Sequence, residues 1–448
     1  MKQPGERESI KAQVSSLVDS DPELATDLLQ SLIRKPSVNP WFSQEYSGGE
    51  KEAQLFLAEY LKDRLGAEVR VWEPSAEALK EYADGPGYYP DRSFEGRPNV
   101  SARVKGSGGG RSMLLFGHMD VVEPSGNWSV GPFDAEIKDG KLYGRGASDM
   151  KGGLAAQVAA VEYLKKAGIQ LKGDVLIGSV VEEESGGMGT LAYAAEGYRA
   201  DAAIVGEPTN LTVAPMCRGI LWGKIIIRGR NGHIEAPQPH WREGGAVDAI
   251  EKARLYLTHI DALNRDWALR KNHALLDGPC QVSVAMINAG DYPTTYASKA
   301  EIVVDIQYLP LEKDEHGLGA KVKREIEDFV SRIAQTDEWL RLNPPEVEWM
   351  VDADCGEIPA DHPFVKTIAK NVAGLCELPL GTQLVQGVFC HTDMGLLIDR
   401  GIPTVNFGPG ILSIAHQPDE YIVIEDYLKA VKVVATTLID WCEVGSMK

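Results

Sequence analysis

At 448 residues the chain is longer than one hydrophobic core organises and points to about two domains. Its 44% hydrophobic and 25% charged residues are those of an ordinary soluble globular protein, and a formal net charge of −19 disfavours nucleic acid or an anionic membrane as partner. Six scattered cysteines without a CxxC pair argue against a disulfide framework or a cysteine zinc knot, and fit a reducing cytoplasm.

The opening segment is polar and helical in character. It has no apolar h-region, so no secretion signal is expected, and no run of about 18 apolar residues predicts a membrane span. The Gly-rich "GSGGGR" at 106–111 reads as a hairpin-type loop; without a Walker lysine-serine pair it predicts no phosphate site. Residues 112–122, "SMLLFGHMDVV", read as a buried strand. A helix follows in "DMKGGLAAQVAAVEYLKKAG", with Leu154, Val158, Val161 and Leu164 at helical spacing and Gly168 as its stop. Residues 174–181 and 201–206 give two more short, β-branched runs bounded by turn residues, as parallel strands buried on both faces require. From about Cys217 the texture changes to strands and long helices of an α+β unit, and after about Cys355 the α/β texture resumes. The fold expected is a mostly parallel sheet flanked by helices, with an inserted α+β domain: a catalytic part over 1–216, the insertion over 217–355, and the rest of the catalytic domain over 356–448.

Ligands of an open parallel sheet gather beyond the carboxyl ends of its strands. The first strand ends in "GHMD", with His118 and Asp120; the second ends in the triplet Glu182, Glu183 and Glu184; the third ends in "GEPT", with Glu207. Asp149 stands just before the helix, and His416 follows the late strand "TVNFG". Any one of these has an ordinary structural reading, a helix cap or a turn. Together, several carboxylates and two histidines at one sheet edge repel and lose hydration unless a cation sits among them. Mixed imidazole and carboxylate donors suit zinc or its neighbours.

Five ordered stretches, "LLFGHMDVV", "GRGASDMKGG", "VVEEESGGMGT", "IVGEPT" and "AHQPDEY", resemble the di-zinc metallopeptidase family of acetylornithine deacetylase, succinyl-diaminopimelate desuccinylase, aminoacylase and glutamate carboxypeptidase. The early "ATDLLQSLIRKPSVNP" is similar to that family's opening helix. The resemblance implies two Zn2+ per subunit, with Co2+ or Mn2+ as substitutes. It makes His118 and Glu207 ligands of one metal, Glu184 and His416 ligands of the other, and Asp149 the bridge. Asp120 would orient the His118 imidazole through its carboxylate, and Glu183 would take a proton from water activated between the metals and pass it to the leaving amine. Glu182 would be a supporting or structural residue. In "RGRNGHIEAP" the resemblance assigns His233 to the lid, reaching a partner subunit's active site, and so implies a homodimer through a lid and dimerisation domain.

The chain departs from the pattern at the lid strand. Many relatives bind a substrate carboxylate with arginine in Asp-Ile-Arg-x-x-Pro, where this chain has "DIQYLP" and Gln307; the neighbouring family asparagine is also missing. Glutamine lacks the bidentate, charged contact of arginine. Either the substrate has no α-carboxylate in the usual place, as in deformylases of formylaminopyrimidines, or another residue binds it. In "FCHTDMG", His391 and Cys390 are pocket or loop residues, and His240 and Arg242 in "QPHWREGG" are pocket or surface. The reading is a cytoplasmic metal-dependent amidohydrolase acting on a small N-acyl or N-formyl amine. A dipeptidase or carboxypeptidase of the same fold is the alternative, and a non-catalytic binding protein the third.

Overall fold

The computed structural model describes residues 4–378 and 380–447. Its chain divides into two compact units. The larger runs to Cys217 and resumes with Gly356–Val388 and again from Thr392; the smaller comprises Arg218–Cys355 and Phe389–His391.

The larger unit is built on a six-stranded sheet of β1 (Glu68–Trp72), β2 (Asn99–Val104), β3 (Met113–His118), β4 (Val175–Val180), β5 (Ala203–Val205) and β10 (Thr404–Asn406). The strand order is β1-β2-β4-β3-β5-β10. The β4, β3, β5 and β10 neighbours are parallel, while β1 and β2 form an antiparallel edge. Every residue of β3, β5 and β10 is buried, which explains their unbroken apolar runs: helices cover both faces, so alternation would place polar groups in the core. The strand expected over 112–122 stops at His118, and the chain then turns through Asp120 across the sheet edge.

Helices α1 (Glu23–Ile33), α2 (Lys151–Lys166) and α5 (Ile424–Cys442) pack together, and α2 and α5 lie against β3. All of α2 from Lys151 to Leu164 is buried, so its sequence is mostly small and apolar, with Lys151, Gln157 and Glu162 as buried polar residues that make hydrogen bonds. At Gly153 a Cβ would lie 1.7 Å from the Gly206 carbonyl oxygen. Only glycine lets the first turn of α2 close on the end of β5, and this closure brings Asp149 towards Glu207.

The smaller unit is a four-stranded antiparallel sheet of β6 (Gly219–Arg228), β7 (Val282–Ala289), β8 (Lys299–Tyr308) and β9 (Glu346–Ala353), in the order β7-β8-β6-β9. Helices α3 (Ala249–Arg270) and α4 (Ala320–Ala334) accompany it, and α3 packs on β7 and β8. Strand β7 forms one edge, and Val284, Met286 and Ile287 along it are exposed. Among the described residues no helix is long and apolar enough to cross a membrane.

Candidate metal centre

The larger unit brings six of the sequence-derived residues to the carboxyl edge of its sheet. His118 is the last residue of β3, Glu183 and Glu184 follow β4, Glu207 follows β5, Asp149 precedes α2, and His416 lies in the loop after β10. His118 Nε2 stands 3.2 Å from Asp149 Oδ1, 3.7 Å from Glu183 Oε2 and 3.8 Å from Glu207 Oε1. His416 Nε2 stands 3.1 Å from Glu184 Oε2 and 3.4 Å from Asp149 Oδ2. Two groups of donors share Asp149, the triads His118–Asp149–Glu207 and Asp149–Glu184–His416, with the donor atoms of each within 4.8 Å of one another. Asp149 belongs to both, one oxygen towards each histidine.

The charges at this edge are unbalanced by the protein alone. Burial pushes the Glu207 carboxyl well above the carboxylate range, with Asp149 adding and His118 opposing. Burial also drives Glu183 well up, against the pull of His118 and with help from Glu207, Asp393 and Glu184. Glu184 first, and Asp149 with it, push the half-exposed His416 imidazole up to about 11. Burial favours neutral His118, but Glu183, Asp149, Glu207 and Asp120 override it and raise its pKa. Glu184 Oε1 and Glu207 Oε1 are buried with no hydrogen bond among the described residues. Two imidazoles, three carboxylates and two buried acceptors without donors are a donor set for divalent cations, which would neutralise the carboxylates and leave the imidazoles unprotonated.

The surrounding residues fix this geometry. His118 Nδ1 meets the Asp120 backbone carbonyl at 2.8 Å, whereas the Asp120 carboxylate lies 3.8 Å away. The tautomer that presents Nε2 as donor atom is therefore set by a carbonyl, not by the expected carboxylate. That carboxylate instead accepts the backbone N–H groups of Glu183 and Glu184, each at 3.2 Å, and the Asn39 side-chain amide at 2.9 Å. Glu420, in the "HQPDEY" stretch, accepts the backbone N–H groups of Ser148 at 2.8 Å and Asp149 at 3.1 Å and pairs with the buried Arg145 at 2.6 Å. It holds the Asp149 turn from below, a role the sequence reading did not assign.

Glu182 is fully buried and turned away from both triads. Arg92 Nε pairs with it at 2.7 Å, Arg97 Nη1 binds its other oxygen, and the Ser185 hydroxyl donates to it. Arg97 also grips Glu50, whose carboxyl is pushed up to about 8 by burial. Backbone φ is 73° at Glu182 and 63° at His416, in the left-handed region that costs a side-chain-bearing residue about 1 kcal/mol or more.

The remaining residues belong to the smaller unit. His233 lies in an exposed loop, its Nδ1 accepting the Glu235 backbone N–H at 3.2 Å. His240 caps a short surface turn by accepting the Arg242 backbone N–H at 3.3 Å, and Arg242 pairs with Glu338 at 3.1 Å. His391 is buried, with Nδ1 2.7 Å from the Asp354 carbonyl oxygen. Gln307, on β8, accepts a hydrogen bond from Arg218 at 2.7 Å.

The sequence model of peptidase family M20/M25/M40 matches residues 114–440. The chain belongs to this family. It is 31% identical over 453 aligned residues to N-formyl-4-amino-5-aminomethyl-2-methylpyrimidine deformylase of Halalkalibacterium halodurans, covering 97% of this chain and 98% of that one. It is also 31% identical over 403 residues to acetylornithine deacetylase of Proteus mirabilis, covering 88% and 91%. Its fold is similar to that of the dipeptidase Dug1p of Saccharomyces cerevisiae, with a TM-score of 0.73 at 15% identity over 97% of this chain and 99% of that one. The M20/M25/M40 membership makes the chain a hydrolase of amide bonds, and the two triads described above lie within the matched segment.

Proposed function

We propose that the chain is a metal-dependent amidohydrolase, a deacylase or deformylase, that cleaves the C–N bond of a small N-acyl or N-formyl amine. The observation that carries the reading is the position of Glu183. Its carboxyl is in neither of the two triads that share Asp149, yet lies 3.7 Å from His118 Nε2. His118, Glu207 and Asp149 would hold one metal, and Asp149, Glu184 and His416 the other. Zinc, or cobalt or manganese as substitutes, would supply Lewis acidity towards the substrate carbonyl and the attacking water. Glu183 takes the proton of that water and delivers it to the leaving amine. Asp120 keeps Glu183 and Glu184 in place through their backbone.

The similarity to a deformylase and a deacetylase supports acyl amines as substrates, while the dipeptidase-like fold keeps a dipeptidase or carboxypeptidase as the second reading. The smaller unit is the lid and dimerisation domain, with His233, Gln307 and His391 as its candidates for contact with substrate. The six free cysteines suit a cytoplasmic enzyme. Stripped of metal with a chelator, the protein is expected to lose hydrolysis of N-acyl and N-formyl amines and to regain it with about two equivalents of zinc. Tight zinc binding without turnover of any library member would favour the non-catalytic reading.

A homodimer is supported by the exposed apolar side chains on the edge strand β7, where Met286 is 53% and Ile287 48% accessible. Ile287→Lys is expected to shift the protein from dimer to monomer mass in light scattering; an unchanged mass would remove β7 from the interface.

A further inference from the structure

His118 and Glu207 stand at or just beyond the ends of the buried strands β3 and β5, whereas His416 lies in a loop, about half exposed, in the left-handed backbone region. A zip of hydrogen bonds sets that loop against Asp149. It joins segment 144–149, which carries Asp149, to segment 411–421, which carries His416. At its base Tyr421–Val423 pairs antiparallel with Lys141–Tyr143, and the Gly144 N–H donates to the Glu420 carbonyl oxygen at 2.8 Å. The fully buried Ser148 hydroxyl donates to the Tyr421 carbonyl oxygen at 2.9 Å and accepts the Ile411 N–H at 3.2 Å. One side chain thus ties both ends of the His416 loop to the residue preceding Asp149.

Arg145 adds a second tie. Its Nη1 donates to the Glu420 carboxylate at 2.6 Å and to the carbonyl oxygen of Gln417, the residue after His416, at 3.4 Å. The other Glu420 oxygen accepts the Ser148 and Asp149 N–H groups. Arg145 and Glu420 are each 1% exposed. A buried ion pair is a poor way to gain stability, since apolar side chains of similar volume often hold a fold as well, so its value here is positional. At Gly410 a Cβ would lie 2.5 Å from the Ser148 carbonyl oxygen, so the loop enters against the Asp149 turn with no room for a side chain. Asp149 and His416 are spaced as one unit, and both belong to the triad completed by Glu184. The other triad takes only Asp149 from this unit, because the Asp120 carbonyl orients His118 and β5 carries Glu207.

We propose that Ser148, Arg145 and Glu420 are positioning residues that set His416 against Asp149, and that they govern metal affinity at the Asp149–Glu184–His416 triad rather than at the His118–Asp149–Glu207 triad. This rests on the metal-centre part of the reading above.

The test is calorimetric titration of zinc into metal-free protein in two backgrounds. Glu207→Ala keeps only the Asp149–Glu184–His416 triad whole, and His416→Ala keeps only the other. Into each is placed either Ser148→Ala or the pair Arg145→Met with Glu420→Gln. The pair removes both buried charges together and retains an acceptor for the Ser148 and Asp149 N–H groups. Losing a residue that orients metal ligands costs about 10–100-fold in affinity. Each change is therefore expected to weaken zinc binding by at least about tenfold in Glu207→Ala and by less than about threefold in His416→Ala. Ser148→Ala leaves the Arg145–Glu420 pair intact and keeps the test decisive if the double substitution fails to fold. Equal weakening in both backgrounds marks a general structural role and overturns the proposal, as does weakening in neither. Wild type that binds no zinc overturns the metal-centre reading and the proposal with it. Turnover does not enter the measurement, so failure of the amidohydrolase reading alone is told apart from failure of this one.

Discussion

Glu183→Ala is expected to lower kcat on any acyl-amine substrate by about 10²–10⁴-fold, the usual contribution of a positioned general acid–base group. Metal content at the two triads that share Asp149 should not change, because Glu183 is a member of neither. The two measurements together separate the roles: steady-state kinetics report the proton transfer, and elemental analysis of the dialysed protein reports the ligands. Glu184→Ala, by contrast, should lose both activity and metal, since its carboxylate is the one that meets His416 at 3.1 Å. Glu183→Gln keeps the volume and a hydrogen-bonding end and should be as inactive as the alanine variant. Full activity in Glu183→Ala would falsify the assignment.

Glu182→Ala should act on stability rather than on chemistry. Removing this fully buried carboxylate leaves Arg92 with only the exposed Asp91 as carboxylate partner among the described residues and takes from Arg97 one of its two. Breaking a buried ion pair from one side costs about 3–5 kcal/mol, because the surviving charge stays in the low-dielectric interior. Urea denaturation followed by tryptophan fluorescence should show a midpoint well below that of wild type. Zinc-loaded protein that remains folded should keep much of its kcat. A Glu182→Ala midpoint within error of wild type would mean that the guanidiniums find water or other acceptors.

The core sheet was legible because strands buried on both faces leave an unmistakable trace: short β-branched runs, each ended by turn residues. The donor residues were legible for the related reason that they stand at the ends of those runs. What escaped is what holds them. Arg92 and Arg97 sit in a loop without periodicity, and nothing local announces that they meet Glu182 and Glu50. Glu420 lay in plain view inside "HQPDEY", but its partners are backbone N–H groups about 270 positions away in the chain. The His118–Asp120 spacing suggested a carboxylate on the imidazole; in the turn after β3 the backbone carbonyl is nearer, and the carboxylate reaches the next loop. Residues 389–391 follow the smaller unit although their neighbours in sequence follow the larger, an exchange that texture alone does not reveal.

Glu182, Glu183 and Glu184 differ in how their charge is met. The first is neutralised by guanidiniums that arrive with the chain itself, and its left-handed backbone is locked by that pairing. On the proposed reading, Glu184 is left for an external cation and Glu183 for the proton of the attacking water. The turn that carries these residues is thus held by contacts within the protein. On that same reading, the chain is expected to fold without its metals, and metal availability to govern when activity begins.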